Sequence, residues 1–152
     1  MSEDKIIHLR NRLFFQGNLA TFGKLFEKSV AADTEGIFMT ARDLIRYVDA
    51  IIEDDDTCFL MWQRDGEIRG YMLATFETRP STKTREVAMW QTIAGDSTEQ
   101  VKKDIVKALE TWAKEKGASV IRFNTTHVKA MKRIMGKYGF KPTITIFEKE
   151  CG

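Results

Sequence analysis

Between Val87 and Lys102 the chain reads VAMWQTIAGDSTEQVK: an apolar run, a turn at Gly95, then the start of a helical pattern. A junction of this kind can hold a phosphate. The first N–H groups of a helix have no intrahelical acceptor and carry partial positive charge, and a glycine lets the backbone approach an anion closely. Ser97 and Thr98 add hydroxyls, and Lys102 adds a cation one turn further on. The same residues offer an opposite use. Ser97 with Gln100, or Asp96 with Glu99, has the spacing of a capping box, which would occupy those donors. Asp96 and Glu99 would also repel a diphosphate, by about 1 kcal/mol for each contact at roughly 4 Å in water. The stretch reads more readily as a capped turn than as a phosphate cradle.

The rest of the chain must position this junction. A length of 152 residues suits one domain with a single core, and 43% hydrophobic with 30% charged residues suits a globular protein. No apolar run approaches the roughly 18 residues of a membrane span. The opening MSEDKIIHLRNRL lacks the apolar centre of a signal peptide, so a cytoplasmic location is expected. Cys58 and Cys151 are far apart, read as free thiols and make no zinc site. A net charge of +2 does not call for a polyanionic partner.

The first third reads as helical. Leu19, Phe22, Leu25, Phe26 and Val30 keep helical spacing, and Thr40 is placed to cap a second helix whose stripe is Leu44, Val48, Ile51 and Ile52. The pattern then changes to strands. CFLMWQR and EIRGYMLATFETR flank Asp65-Gly66, a pair suited to a tight hairpin, and Val87–Ala94 reads as a third strand. Ser97–Lys116 reads as a helix stopped by Gly117, SVIRFNT as a strand, HVKAMKRIMGKY as a helix and TITIFEKE as a last strand. The order α-α-β-β-β-α-β-α-β implies an α/β fold, a mixed sheet with helices on both faces.

This order, with the segment ALETWAKEKGASVIRFNTTHVKAMKRIMGKYGFKPTITIFEK, resembles the GNAT superfamily of N-acetyltransferases. The resemblance takes in residues 1–152 as one domain, with 58–149 matching best. Its most specific part is the tail, where Gly139-Phe140 ends the last helix and leads into the final strand. FNTTHVK also looks like a segment of bacteriophage-borne GNAT-like proteins.

The resemblance implies acetyl-CoA as cofactor and an amine as acceptor, taken from a small molecule or a protein. The cofactor would lie where the sheet opens, along Trp90, Thr92, Ala94, Gly95, Ser97, Thr98 and Lys102, with Asn124 and His127 opposite. Glu86 would be the base, Gln91 and Thr92 would orient a water, and N–H groups around Trp90 and Thr92 would polarise the thioester carbonyl. The chain also departs from the pattern. The family's phosphate loop has glycines where this chain has Ser97–Lys102, and the family's Tyr general acid falls on Met135. Tyr138, three positions on, would point elsewhere on a regular helix. Asn124, Thr125 and Thr126 can equally be read as helix caps, with His127 exposed. These departures leave a second reading open: a non-catalytic GNAT-like binding module with a protein partner or a second copy.

Two charged stretches remain. Glu53-Asp54-Asp55-Asp56 could attract a cationic substrate or simply solvate a turn. Lys129, Lys132, Arg133, Lys137 and Lys141 make the last helix basic, but without interleaved aromatics the expectation is against a nucleic-acid partner.

Overall fold

The computed structural model describes residues 3–32, 40–79, 84–93, 97–123, 128–143, 147 and 149–151. In chain order its elements are β1 (Asp4–His8), α1 (Arg12–Gly17), α2 (Leu19–Ala32), α3 (Ala41–Ile51), β2 (Thr57–Arg64), β3 (Glu67–Arg79), β4 (Thr84–Ile93), α4 (Glu99–Glu115), β5 (Val120–Arg122) and α5 (Val128–Met135). A single 3-10 turn, Gly136–Tyr138, follows α5. The five strands form one sheet in the order β1-β2-β3-β4-β5. Every pairing is antiparallel except β4 with β5, which run parallel.

The first third is not wholly helical, as the periodicity implied. Asp4–His8 is a strand on the edge of the sheet, with Ile6 opposite Trp62 and His8 opposite Leu60. Only two adjacent apolar residues mark it in the sequence; its partner β2 supplies the rest of its stability. The central hairpin is as expected. Asp65 and Gly66 both have positive φ, 51° and 82°, as a two-residue turn between right-twisted strands requires.

Alternation along β2 and β3 divides the core between two faces. Phe59, Met61, Tyr71 and Leu73 pack with Phe15, Phe22 and Phe26 of α1 and α2 and with Leu44 and Val48 of α3. Cys58, Leu60, Trp62, Met72 and Ala74 pack on the other face against Val101, Ile105, Leu109 and Trp112 of α4. Each large side chain buried this way contributes about 1.5–3 kcal/mol. The first face is aromatic: Phe26 meets Tyr71 edge-on with ring centroids 4.8 Å apart, and the Tyr71 hydroxyl bonds the Ser29 hydroxyl of α2. Leu19, read as part of the α2 stripe, is instead exposed.

Helix α3 begins on Thr40, whose hydroxyl accepts from Asp43 N–H at 3.1 Å, as its position suggests. Helix α4 ends at Gly117, which takes φ 76° while the Ala118 N–H bonds the Ala113 carbonyl. A Cβ on Gly117 would come within 3.1 Å of the Arg85 guanidinium. That guanidinium donates to the Lys116 carbonyl at 3.1 Å and lies over the Phe76 ring. Gly139 is also left-handed, and Phe140 packs edge-on against Phe123 rather than entering the main core. The expected last strand lies partly outside the described residues; its described members Thr143, Phe147, Lys149 and Glu150 carry no strand pairing.

Candidate active site

The N-terminus of α4 is capped by Thr98, not by Ser97 or Asp96 as the sequence suggested. The Thr98 hydroxyl accepts from Val101 N–H at 3.2 Å. The reciprocal half of a capping box is absent because the third helical position is Val101, which has no polar group to reach back to Thr98; the Gln100 amide donates to Asp104 at 2.9 Å. This cap uses one donor of the first turn. The N–H groups of Glu99 and Gln100 have no acceptor among the described residues. The Ser97 hydroxyl is shielded from solvent and likewise lacks a partner among the described residues.

Charge at this end is mixed. Glu99 lies in the first turn, with the Lys102 ammonium 3.8 Å from its carboxylate. Tyr138 also reaches it: the phenol donates to Glu99 at 3.2 Å. The sequence placed Tyr138 elsewhere by assuming a regular helix up to residue 138. The chain instead tightens into a 3-10 turn after Met135, which changes the angle between successive side chains. Burial first, and then the Glu99 carboxylate, hold the Tyr138 phenol above its ordinary pKa.

Strand β4 leads toward this helix and has two irregular features. First, Leu73 pairs with Gln91 and Ala74 with Met89, so Trp90 is an extra residue without a partner in the ladder. A bulge of this kind turns a peptide group out of the sheet's hydrogen-bonding pattern. Second, β5 pairs with Glu86, Val87 and Ala88 only. From Met89 to Ile93, β4 has β3 on one side and no strand on the other among the described residues. The sheet therefore opens between β4 and β5, beside the N-terminus of α4.

Just before the opening lies Glu86, opposite Glu77 of β3 and Val120 of β5. Its side chain is 3% exposed. Its Oε2 is 2.8 Å from Nε of Arg122, an ion pair without the alignment of a hydrogen bond. Arg122 had no role in the sequence reading, because the register of a parallel pair cannot be counted from local spacing.

The other candidates divide. Ser97, Thr98 and Lys102 come together at the α4 terminus, while Glu86 stands apart on the strand. The backbone of Trp90, Gln91 and Thr92 lies in β4, but their side chains are outside the described residues, as are Ala94, Gly95, Asp96, Asn124 and His127. The acidic loop is largely neutralised rather than open to a ligand: Glu53 pairs with Arg12 at 3.1 Å, Asp55 with Arg10 at 2.5 Å and Asp56 with Lys116 at 2.8 Å. Lys129, Lys132, Arg133, Lys137 and Lys141 are exposed. Among the described residues no helix is long and apolar enough to cross a membrane.

No family model matches the chain, and neither does any curated protein. Solved structures do match. A glucosamine-6-phosphate N-acetyltransferase from Arabidopsis thaliana superposes with a TM-score of 0.70 at 16% identity, over 97% of this chain and 98% of that one. A predicted acetyltransferase from Clostridium acetobutylicum, solved with acetyl-CoA, gives 0.71 at 14% identity, over 99% and 96%. An aminoglycoside N-acetyltransferase in complex with CoA gives 0.70 at 15% identity, over 99% and 96%. At such identities the likeness establishes the fold, which is the acyl-CoA N-acyltransferase fold.

Proposed function

We propose that this chain is a GNAT-superfamily N-acyltransferase that moves an acetyl group from acetyl-CoA to an amine. The observation that carries the reading is the open edge of β4, bulged at Trp90 and followed by an α4 terminus with unaccepted N–H groups. The fold shared with a predicted acetyltransferase solved with acetyl-CoA and with an aminoglycoside N-acetyltransferase solved with CoA supports it.

Acetyl-CoA would supply an activated thioester. The chain's own part begins with the diphosphate, which the Glu99 and Gln100 N–H groups, the Ser97 hydroxyl and Lys102 are suited to hold. Thr98 keeps the helix end in shape while leaving those two donors available. Trp90, Thr92, Ala94 and Gly95 would border the pantetheine arm, whose amides can pair with the free edge of β4 as an added strand does. Asn124 and His127 would form the opposite wall. The Trp90 N–H, released from the ladder, is suited to polarise the thioester carbonyl. Bonding of the amine nitrogen to that carbon, with the CoA thiolate as the leaving group, would require the amine to lose a proton. Glu86, held by Arg122, would take it through a water that Gln91 would orient. The shielded thiol of Cys58 and the free Cys151 suit a cytoplasmic setting.

Isothermal titration tests the reading. Acetyl-CoA and CoA should each bind with one-site stoichiometry and raise the melting temperature, because each binds only the folded chain. Absence of both effects overturns the reading and leaves a GNAT-like binding module.

A further inference from the structure

A groove of about 300 Å³ separates the C-terminal half of α4 from the outer strands β1 and β2. We propose that it binds a small organic cation, a protonated amine carried on a short apolar body. Its volume is at the lower end for small-molecule sites. The groove follows α4 roughly 20 Å along the helix axis from Thr98, so it is distinct from the open edge of β4.

The walls are apolar. Ile6, Cys58 and Leu60 come from the sheet, Ala108 and Trp112 from the helix. The indole of Trp112 stands perpendicular to the His8 ring, with centroids 6.4 Å apart. An aromatic wall of this kind attracts a cation as well as an alkyl or aryl group.

Three polar side chains complete the lining, and all three offer acceptors. Thr111 spends its hydroxyl proton on the Lys107 carbonyl at 2.9 Å, which leaves its lone pairs. His8 Nε2 is 3.3 Å from the Thr57 carbonyl. A carbonyl only accepts, so Nε2 carries the proton and Nδ1 keeps a lone pair. Burial pulls the His8 pKa down, which keeps the ring neutral at neutral pH. Glu115 adds a carboxylate with no ion-pair partner among the described residues.

No lining residue carries positive charge. Of the cations around it, Arg10 pairs with Asp55 and Lys116 with Asp56, while Lys107 and Lys114 of α4 contribute no lining to the groove. The negative end of the α4 dipole adds to the field of Glu115. A ligand here must donate hydrogen bonds and gains from positive charge.

Protein-observed NMR on the full chain tests this, reading the Trp112 indole N–H and the His8 ring. Phenethylamine should shift both signals to saturation, and its neutral counterpart 2-phenylethanol should bind about fivefold more weakly or worse. E115Q, an exposed change that leaves the core intact, should weaken the amine by a similar factor. A108L should fill the groove and abolish the shifts. Saturating CoA should leave the amine affinity unchanged, so failure of the acyltransferase reading and failure of this one are separable. Equal binding of amine and alcohol overturns the proposal, as do undiminished amine shifts in E115Q or no saturable shift at millimolar amine.

Discussion

The Tyr138 phenol donates to the Glu99 carboxylate at 3.2 Å, joining the turn after α5 to the first turn of α4. The bond fixes a negative charge beside the N–H groups best placed to grip a diphosphate. On the proposed reading Glu99 would act as a brake on coenzyme binding, and Tyr138 would set where that brake sits. Replacing Glu99 with Gln keeps the hydrogen-bonding shape and removes the charge. Coenzyme affinity by calorimetry should rise about three- to fivefold. In the same variant the Tyr138 phenol should titrate closer to its ordinary value, read by absorbance against pH. Unchanged affinity would remove Glu99 from the site.

Thr98 offers a separation of stability from binding. T98A removes the hydroxyl that accepts from Val101 and should cost about 1 kcal/mol in urea unfolding. The same change frees one more N–H at the terminus. Coenzyme affinity should therefore hold or improve while the fold weakens. A parallel loss of both would mean that the shape of the cap, not its free donors, matters for the ligand.

The Glu86–Arg122 pair closes the last stretch before β4 and β5 part. R122M removes the Arg122 charge from beside a carboxylate that is 3% exposed and should cost about 3 kcal/mol. E86Q should cost less, because a neutral amide needs no countercharge, yet it should lower the rate of acetyl transfer most. A double-mutant cycle on urea midpoints gives the coupling. A coupling near zero would show the contact to be incidental.

His8 makes stability depend on pH. Burial, the largest influence on it, lowers its pKa in the folded chain below 6.5, ahead of the opposing effect of the Thr57 bond. Above pH 6.5 both folded and unfolded chains hold a neutral ring, and stability is full. As pH falls below 6.5 the unfolded chain takes up a proton that the folded chain refuses, so stability is lost until the folded pKa is passed. The slope cannot exceed about 1.4 kcal/mol per pH unit for one proton. Urea midpoints across this range should fall in the wild type and flatten in H8N.

What the sequence made legible was local. The Asp65-Gly66 hairpin, the Thr40 cap and the stops at Gly117 and Gly139 each follow from the conformational needs of one or two residues. Burial of Phe22, Phe26, Leu44 and Val48 follows from helical spacing. The misses were decided by distant partners. Strand β1 is held by β2, more than fifty residues away in the chain, so its short apolar signal was too weak to read. The acidic loop could be read either as a lure for a cation or as a solvated turn, and the sequence had no sign that Arg10, Arg12 and Lys116 would be brought against it. The cap moved from Ser97 to Thr98 because both residues have hydroxyls, and a shift of one residue leaves the local pattern nearly unchanged. At the site, the fold placed Arg122 beside Glu86 and Tyr138 beside Glu99, and neither pairing has a spacing signature.

Gly117 and Arg85 occupy the same few ångströms. A methyl group on residue 117 would sit 3.1 Å from the guanidinium and push it by a few tenths of an ångström, at a backbone angle that L side chains rarely adopt. In any descendant sequence glycine should thus hold at 117 even where the residue at 85 has become short, because the backbone angle and not the guanidinium is the stricter demand.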